Sequence, residues 1–562
     1  MEPANYADKV WPVHKPSQVW SEFETSVPHS SMDPSVVRAL LTDLYQITMC
    51  YGYFKTNKHE QSVTFELFFR RNPFNGEFTV YAGLTECIDY LRTFRFTAED
   101  IAYLRQVLPK TTEEAFFDYL SNLDASKLQL HSITEGSAVF PRVPLMIIQG
   151  PLGICQLVET ALLNLINFSS LITTNAVRFR LAAGKDISLL EFGLRRAQGP
   201  NGAMTASKYC YVGGFDATSN VLAGKRFGIP IKGTHAHAFV SAFDVNELND
   251  AGERVRELYS LASEYLAQLD TISVMDAVRE HIPSELVAFC SYAAAFPDSF
   301  LALIDTYDTL KSGVINFCAV ALALHKSGGH KAIGIRLDSG DLAFGSREVR
   351  KRFRAVAERF NLPWFADLKI VASNDINEET IHSLSKQHHS IDSFGIGTHL
   401  VTCQKQPALG CVYKLVELNG LPRIKLSDDV AKTTIPGNKV AYRLYGKSGC
   451  ALADLLCMID EGAPKVGQQV LCRHPFVEEK RTYVIPSRVD KLHHLYWADG
   501  ELQRPLCPLK TIRQRVRDSV SEMRDDHLRY HNPTPYKVSV SEALYTFLHK
   551  LWLQNTPIGV LE

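Results

Sequence analysis

Large apolar residues recur at every second position over residues 62–69 (SVTFELFF), and this period of two predicts a β-strand. One face of the strand carries four of them: Val63, Phe65, Leu67 and Phe69. Apolar residues with helical spacing flank the strand at 39–53 and 84–94. The pattern predicts a small α/β domain over residues 31–149.

From residue 150 to about residue 403 the pattern changes to a repeated order of apolar strand, polar turn and helix. Five predicted strands lead into glycine, polar or charged residues: 187–192, 228–231, 333–337, 368–372 and 393–396. The last three are spaced like units in which a crossover helix joins parallel strands. Because a β/α barrel has its active site at the carboxyl ends of its strands, the pattern predicts a barrel with catalytic residues at those ends.

The two ends of the chain differ from this central region. Residues 1–30 are polar and contain proline, and we expect a flexible N-terminal extension there. The C-terminal region, 404–562, begins with strand and turn patterns. It ends with helical patterns at 511–530 and 541–552.

Charge and composition limit the classes of function. The 60 Lys and Arg nearly balance the 61 Asp and Glu, so no overall field attracts nucleic acid or an anionic membrane. The longest uncharged stretch, 160–177, contains three asparagines and is interpreted as a buried helix, not a membrane span. The 12 cysteines form no C-x-x-C pair, which predicts reduced thiols in the cytosol and no zinc site. The adjacent histidines at 388–389 and 493–494 are interpreted as surface pairs.

The segment SFGIGT (393–398) places Gly395, Gly397 and Thr398 just after a predicted strand. Backbone N–H groups exposed by glycine, together with a threonine hydroxyl, suit a phosphate monoester, and late barrel loops commonly bind one. The same residues also suit an ordinary turn in which glycine serves only the backbone conformation. The motif alone leaves both interpretations open.

The segment RLDSGD (336–341) places Arg336 and Asp338 on one face of a strand, with Asp341 in the following turn. An arginine with two carboxylates can clamp an anionic substrate and hold Mg²⁺ near a pyrophosphate. An internal ion pair that stabilises the end of the barrel is the alternative.

The segment GTHAHAFV (233–240) contains two histidines, His235 and His237, after another predicted strand. A histidine at a strand end can be a general base, a metal ligand or a phosphoryl acceptor, although a hydrogen-bonded loop histidine is more frequent. Arg195 is a further candidate for binding an anion, and the ring of Tyr45 could stack on a flat substrate. A solvated cation and a core aromatic are the ordinary interpretations of these two residues.

Taken together, these segments resemble the nicotinate phosphoribosyltransferase family. The resemblance is carried by ordered strings that cover most of residues 39–440: TDLYQITMCYGYF (42–54), FELFFRRNPFNGEFTVYAGL (65–84), EFGLRRAQGPNGAMTASKYCYVGGFDATSNVLAG (191–224), GTHAHAFV, IRLDSGDL (335–342), ASNDINE (372–378) and SFGIGT. It implies an α/β fold with an irregular, incomplete β/α barrel, flanked by an α/β sandwich-like domain that the C-terminal region completes. It also implies a homodimer with shared active sites.

The implied reaction joins nicotinate to 5-phosphoribosyl 1-pyrophosphate, giving nicotinate mononucleotide and pyrophosphate in the first step of NAD biosynthesis from nicotinate. The family couples this reaction to ATP hydrolysis through a phosphohistidine, and Mg²⁺ or Mn²⁺ is the implied cofactor with ATP as co-substrate. The chain has no Walker-type loop, so the expectation of ATP use rests on the resemblance alone.

The resemblance implies a nicotinate site of four residues. Tyr45 would stack on the pyridine ring, from the partner subunit. Arg336 and the nearby Thr234 would bind the nicotinate carboxylate, with Arg195 as a second cation.

The other implied roles concern phosphate and phosphoryl groups. Thr398, with the backbone at Gly395 and Gly397, would hold the 5-phosphate of phosphoribosyl pyrophosphate. Asp338 and Asp341 would face the ribose and the Mg²⁺-pyrophosphate, as catalytic residues and as metal ligands.

His237 matches the histidine that ATP phosphorylates, because Ala-Phe-Val follows it as in the family. Relatives usually carry an apolar residue at the position of His235, so this second histidine is a departure from the family pattern.

Four other functions compete with this interpretation. Nicotinamide and quinolinate phosphoribosyltransferases share the reaction class, but an arginine facing the ring favours an acid over an amide, and quinolinate needs more cations. A sugar-phosphate isomerase or aldolase predicts a Lys or Glu base at a strand end, and none is prominent. A catalytically silent scaffold is disfavoured by the joint presence of Tyr45, His237, Arg336, Asp338 and Thr398.

Overall fold

The computed structural model describes residue 33 and residues 35–275, 278–427, 429 and 432–556. The predicted extension at residues 1–30 lies outside the described residues.

Strands of the described chain are numbered in chain order. They are β1 (Ser62–Phe69), β2 (Thr79–Val80), β3 (Gln129–Ile133), β4 (Ala138–Val139), β5 (Met146–Pro151), β6 (Ser188–Glu191), β7 (Ala217–Thr218), β8 (Leu301–Leu303), β9 (Gly334–Leu337), β10 (Lys369–Ala372), β11 (Ser393–Ile396), β12 (Cys411–Leu418), β13 (Leu421–Pro422), β14 (Lys439–Tyr445), β15 (Ala451–Met458), β16 (Val470–Arg473), β17 (Arg481–Val484), β18 (Arg488–Lys491), β19 (His493–Ala498), β20 (Glu501–Leu502) and β21 (Lys537–Val540).

The α-helices of the described chain are numbered in the same way. They are α1 (Leu44–Lys55), α2 (Leu84–Thr93), α3 (Ala98–Val107), α4 (Glu114–Ser121), α5 (Leu152–Leu157), α6 (Glu159–Ala183), α7 (Gly199–Val212), α8 (Val221–Phe227), α9 (His237–Ser241), α10 (Glu253–Leu269), α11 (Pro283–Ala295), α12 (Val314–Gly328), α13 (Leu342–Phe360), α14 (Glu378–Lys386), α15 (Thr398–Val401), α16 (Leu509–Ser521) and α17 (Glu542–Asn555).

The first sheet is antiparallel and has seven strands in the order β13-β12-β1-β5-β3-β19-β20. The predicted strand at 62–69 is confirmed as β1; it pairs with β12 on one edge and β5 on the other, and side chains on both of its faces are buried. Strands from both ends of the chain therefore build this one layer. His493 of β19 is buried, with its Nε2 atom 2.6 Å from the carbonyl oxygen of Pro144, so its interpretation as a surface residue was wrong.

The second sheet has six parallel strands in the order β7-β6-β11-β10-β9-β8. Four of the five predicted barrel strands are confirmed to within two residues, as β6, β9, β10 and β11. The predicted strand at 228–231 was wrong, because Gly228 ends α8 with a φ of 65° and Pro230 has no N–H to donate. Only Ile231 pairs, through an isolated bridge to Thr218 of β7.

A side chain bridges the open side of the parallel sheet. The segment after Ile231 crosses from the β7 edge to the β8 edge, where the backbone N–H of Leu303 donates to Nε2 of His235 at 3.2 Å. A hydrogen bond to an imidazole thus links the two edges of the six-stranded parallel sheet, and we call this irregular, open arrangement the barrel.

The third sheet is mixed, in the order β17-β16-β21-β15-β14-β18, and comes entirely from residues 439–540. The helix predicted at 511–530 is shorter than expected: α16 ends at Ser521, because the backbone turns to an extended conformation at Arg524. The helix predicted at 541–552 is confirmed as α17.

One helical stretch, Leu152–Ala183, is long and apolar enough to cross a membrane by length and composition alone. In its most apolar window 61% of the residues are buried inside the protein. The stretch packs as a core element between the first sheet and the barrel, as expected for the uncharged segment at 160–177.

Candidate active site

Arg336 lies near the carboxyl end of β9, and its side chain reaches across to the segment after Ile231. Its Nη1 atom donates to the hydroxyl of Thr234 at 3.0 Å. Its Nε atom is buried and has no hydrogen-bond partner among the described residues. Burial lowers the pKa of Arg336, while the carboxylates of Asp338 and Asp305 oppose that shift. The guanidinium therefore keeps donors free for an anion in a largely dehydrated position.

Asp338 follows β9 and is held by neighbours from two other strand ends. Its backbone N–H donates to Oδ2 of Asp305 at 2.8 Å, and the hydroxyl of Ser339 donates to the same oxygen at 2.6 Å. The hydroxyl of Ser373, after β10, donates to Oδ1 of Asp338. The other oxygen of Asp305, Oδ1, is buried without a partner among the described residues.

His237 begins α9 at the mouth of the barrel, and its side chain is 44% exposed. Its Nδ1 atom lies 3.1 Å from the hydroxyl of Thr306, which follows β8. Its Nε2 atom lies 3.7 Å from Oδ2 of Asp338 and has no closer partner in the described chain. Thr306 thus fixes the ring and leaves Nε2 facing the open mouth.

His235 lies two residues earlier and has a different environment. It is buried, its Nε2 atom accepts the hydrogen bond from Leu303, and its ring contacts Tyr292 and Phe239. Burial lowers the pKa of His235 to about 4. The neutral imidazole therefore closes the barrel, and its one acceptor nitrogen is already used.

Gly395 lies in β11, and Gly397 and Thr398 follow the strand at the start of α15, next to the loop after β6. A β-carbon at Gly395 would lie 2.5 Å from the ring of Phe192, so this glycine is required by packing. At Gly397 it would lie 3.2 Å from the carbonyl oxygen of Phe192, which is a tighter fit than most side chains allow. Thr398 is half-buried, and its hydroxyl makes no hydrogen bond within the described chain.

The remaining predicted residues are not brought into this group of contacts. Asp341 is exposed and caps α13, accepting from the backbone N–H of Phe344 at 2.9 Å. Arg195 is exposed in a turn after β6, near enough to Arg336 for the two charges to repel. Tyr45 lies on α1 in the other layer and is 48% exposed.

Three contact residues were not predicted from the sequence: Asp305, Thr306 and Ser373. The segment 301–306 has the same order of strand followed by polar residues that marked the other barrel strands, so the signal was present. The loop after β10, which contains Ser373, is distinguished in the structure by its backbone. Asn374 and Asp375 both have positive φ angles, 97° and 45°. Such conformations in residues other than glycine cluster at functional sites. Among the described residues, no three His, Cys, Asp or Glu side chains form a group able to hold a metal ion.

Comparison with known proteins identifies the family of the chain. Three family profiles match: the nicotinate phosphoribosyltransferase N-terminal domain over residues 40–167, the family profile over 329–470 and the C-terminal domain over 438–548. The chain is 55% identical to nicotinate phosphoribosyltransferase of Caenorhabditis elegans, over 95% of this chain and 97% of the relative. It is 53% identical to nicotinate phosphoribosyltransferase 2 of Arabidopsis thaliana, over 98% and 100%.

Solved structures give the same result. The crystal structure of human nicotinic acid phosphoribosyltransferase superposes with a TM-score of 0.81 at 42% identity, covering 91% of this chain and 100% of the human chain. A nicotinate-nucleotide pyrophosphorylase from Pyrococcus furiosus, at 19% identity and a TM-score of 0.57, shares the fold. With relatives above 50% identity over almost the whole chain, this chain belongs to the nicotinate phosphoribosyltransferase family.

Proposed function

We propose that the protein is a transferase of NAD biosynthesis, which forms nicotinate mononucleotide and pyrophosphate from nicotinate and 5-phosphoribosyl 1-pyrophosphate. The observation that carries the proposal is Arg336, a half-buried arginine at the barrel mouth with an unpartnered Nε atom. A planar carboxylate on a flat ring matches the free side of this guanidinium. An uncharged carboxamide would leave the positive charge uncompensated, so the site favours nicotinate over nicotinamide.

The chemistry needs positioning more than acid–base catalysis. The pyridine nitrogen attacks the anomeric carbon of the ribose, the bond from that carbon to pyrophosphate breaks, and pyrophosphate leaves with the electron pair. The free hydroxyl of Thr398 and the backbone at Gly395 and Gly397 suit the 5-phosphate. Asp338, held by Ser373 and Asp305, faces the ribose and can stabilise positive charge at the anomeric carbon.

His237 is the proposed acceptor of a phosphoryl group from ATP. The bond between the γ-phosphorus and ADP breaks, a bond from Nε2 to phosphorus forms, and water later releases phosphate from the imidazole. Nε2 suits this step because Nδ1 faces Thr306, whereas Nε2 faces the open mouth. His235 is excluded as the acceptor because it is buried and its Nε2 atom is already bonded to Leu303.

The carboxylates of Asp305 and Asp338 fit a hard divalent cation such as Mg²⁺ or Mn²⁺. Asp305 Oδ1 is buried without a hydrogen bond, and oxygen donors of this kind are what these ions prefer. When bound, the ion would add positive charge beside the leaving pyrophosphate. Asp341 fits less well than predicted, because its carboxylate caps α13.

A homodimer completes the proposal. Tyr45 belongs to an exposed apolar group on the first layer, with Val36, Leu44 and Met49, each between 37% and 64% exposed. Exposed apolar residues this close in sequence suit a subunit interface. Docked against a partner's barrel mouth, the Tyr45 ring would stack on the pyridine. All twelve cysteines are free, which suits the reducing cytosol that we propose as the location.

The test is mononucleotide formation with phosphoribosyl pyrophosphate and Mg²⁺, offering nicotinate, nicotinamide or quinolinate, each with and without ATP. We expect product from nicotinate alone and a higher rate with ATP. His237→Ala should abolish the ATP effect, lower the rate about tenfold and remove acid-labile phosphate from the protein. His388→Ala, an exposed histidine outside the site, is the matched control. Turnover of nicotinamide or quinolinate in place of nicotinate would contradict the substrate assignment.

A further inference from the structure

A cavity of about 560 Å³ lies away from the barrel, between the rim of the first sheet and the third sheet. None of the residues placed in the catalytic site lines it. Its walls come from the segments after β1 and β4 and from strands β15, β16, β17 and β21. Cavities of this size are typical of sites for small molecules.

The lining is strongly cationic in a chain whose net charge is only −1. It includes five Lys and Arg side chains and one histidine: Arg70, Arg142, His474, Lys480, Arg481 and Lys537. Glu77 is the one carboxylate among the described lining residues. None of the five Lys and Arg side chains forms an ion pair within the described chain.

Arg142 is, with Arg70, one of the two half-buried arginines that line this cavity. Its φ of 71° is unusual for a residue other than glycine, and its backbone N–H is tied to the carbonyl oxygen of Phe69 at 2.8 Å. Its guanidinium lies 4.5 Å from the centre of the Phe476 ring. Burial lowers the pKa of Arg142, and the nearby Arg70 lowers it further, whereas the carboxylate of Asp429 opposes the shift. An anion would relieve this like-charge repulsion.

His474 can donate a hydrogen bond from one defined ring nitrogen. Its Nδ1 atom accepts from the backbone N–H of Phe476 at 3.1 Å, which leaves the proton of the neutral ring on Nε2. Burial lowers the pKa of His474, and Arg142 and Lys480 lower it further. The charges around this imidazole are therefore mainly positive.

The floor of the cavity is apolar, formed by Ile435, Leu456 and Val540. Several cations above an apolar floor match a ligand with an anionic head and a flat or apolar body. The three lining arginines, Arg70, Arg142 and Arg481, favour a phosphate, which accepts paired hydrogen bonds, and the lining carries more positive charge than one carboxylate needs.

We propose that this cavity is a second ligand site, which binds a phosphate ester of nucleotide size through Arg142, His474, Lys480 and Arg481. The proposal does not depend on the reaction catalysed at the barrel. A phosphate ester and free orthophosphate both carry the phosphate group that these cations would bind. The apolar floor favours an ester over free orthophosphate.

The test is calorimetric titration of the full-length protein with AMP, with adenosine and with orthophosphate. We expect AMP to bind, adenosine to give no measurable binding, and orthophosphate to bind at least fivefold more weakly than AMP. The charge-neutral double variant Arg142→Gln/Lys480→Gln should weaken AMP binding at least tenfold. Its matched control is Arg354→Gln/Lys447→Gln, which removes two exposed cations elsewhere and should bind AMP normally.

Three further measurements separate the alternatives. Thr398→Val changes the catalytic site and should leave AMP binding intact; loss of binding there would place the ligand in the catalytic site and overturn the proposal. Lys480→Glu/Lys537→Glu reverses two exposed charges without touching the core, so weaker AMP binding in that variant supports the cavity even if Arg142→Gln misfolds.

Equal affinity for orthophosphate and AMP would overturn the assignment to an ester. Unchanged AMP binding in both cavity variants would overturn the site.

Discussion

Arg336 of the parallel sheet and Arg443 of the mixed third sheet differ in how many hydrogen bonds their guanidinium groups make within the described chain. Arg443 of β14 is 4% exposed, and its Nε and Nη2 atoms donate to the two oxygens of Asp454 at 2.7 and 2.8 Å. Nη2 also donates to the carbonyl oxygen of Ala138, and the hydroxyl of Tyr536 donates to Asp454 at 3.0 Å. Among the described residues, the side chain of Arg336 makes a single hydrogen bond, to the hydroxyl of Thr234.

This difference in hydrogen bonding distinguishes an arginine that stabilises the fold from an arginine that is available to a ligand. The buried ion pair of Arg443 and Asp454 links two neighbouring strands of the third sheet and contacts β4 through Ala138, and its polar atoms are satisfied without a ligand. At the barrel mouth, Arg336 Nε and Asp305 Oδ1 are buried and have no hydrogen-bond partner in the part of the chain that the structure describes, which is costly unless a substrate or an ion supplies one. The cavity around Arg142 shares one property with the barrel mouth, because its five Lys and Arg side chains form no ion pair within the described chain. Charge without an ion-pair partner is therefore what the two candidate sites have in common.

The largest effect is expected from Arg336→Ala on catalysis. Removing the cation that faces the nicotinate carboxylate should lower kcat/KM by about 10⁴-fold, on the order of 5 kcal/mol. The free energy of unfolding should change by no more than about 1 kcal/mol, because the side chain makes one hydrogen bond. Steady-state kinetics and urea unfolding measure the two quantities. A large loss of stability with little loss of rate would make Arg336 a structural residue like Arg443.

The reverse result is expected from Arg443→Ala. The carboxylate of Asp454 would be left buried without its cation, so the free energy of unfolding should fall by about 4 kcal/mol. The fraction that remains folded should keep its kcat, because neither residue lies at the barrel mouth. Urea unfolding followed by tryptophan fluorescence checks this. The exposed Arg354→Ala is the control and should unfold like the wild type.

A smaller effect concerns pH and the barrel closure by His235. The folded-state pKa of about 4 lies below the unfolded value of 6.5, so between these values the unfolded chain binds a proton that the folded chain does not. This contribution to stability is complete above pH 6.5 and is lost as the pH falls toward 4, by at most about 3 kcal/mol. His235→Leu should reduce the slope of unfolding free energy against pH in this window. His493, whose burial also lowers its pKa to about 4, should maintain part of the slope. An unchanged slope in His235→Leu would mean that His235 is protonated in the folded protein.

Much of the fold could be predicted from local patterns. The strands at 62–69 and 393–396 were predicted to the residue, since apolar alternation and flanking glycines are local properties. The predicted strand at 228–231 failed because Gly228 and Pro230 favour other conformations, although the segment is apolar. The order of the strands, and the return of β19 from the C-terminal region to the first sheet, depend on contacts hundreds of residues apart in sequence.

The candidate site divides in the same way. The sequence alone determined that Arg336 and Asp338 share a face at a strand end and that Thr398 follows a glycine-rich turn, because these relations depend on a few neighbouring residues. Only the tertiary structure decided that His235 closes the barrel while His237 faces its mouth, since burial is set by what packs against each ring. It also decided that Asp341 caps a helix, that Asp305 supports Asp338, and that distant cations meet around Arg142. Hydrogen-bond partners and unpartnered charge come from segments that meet only when the chain is folded, and local sequence does not encode which segments those are.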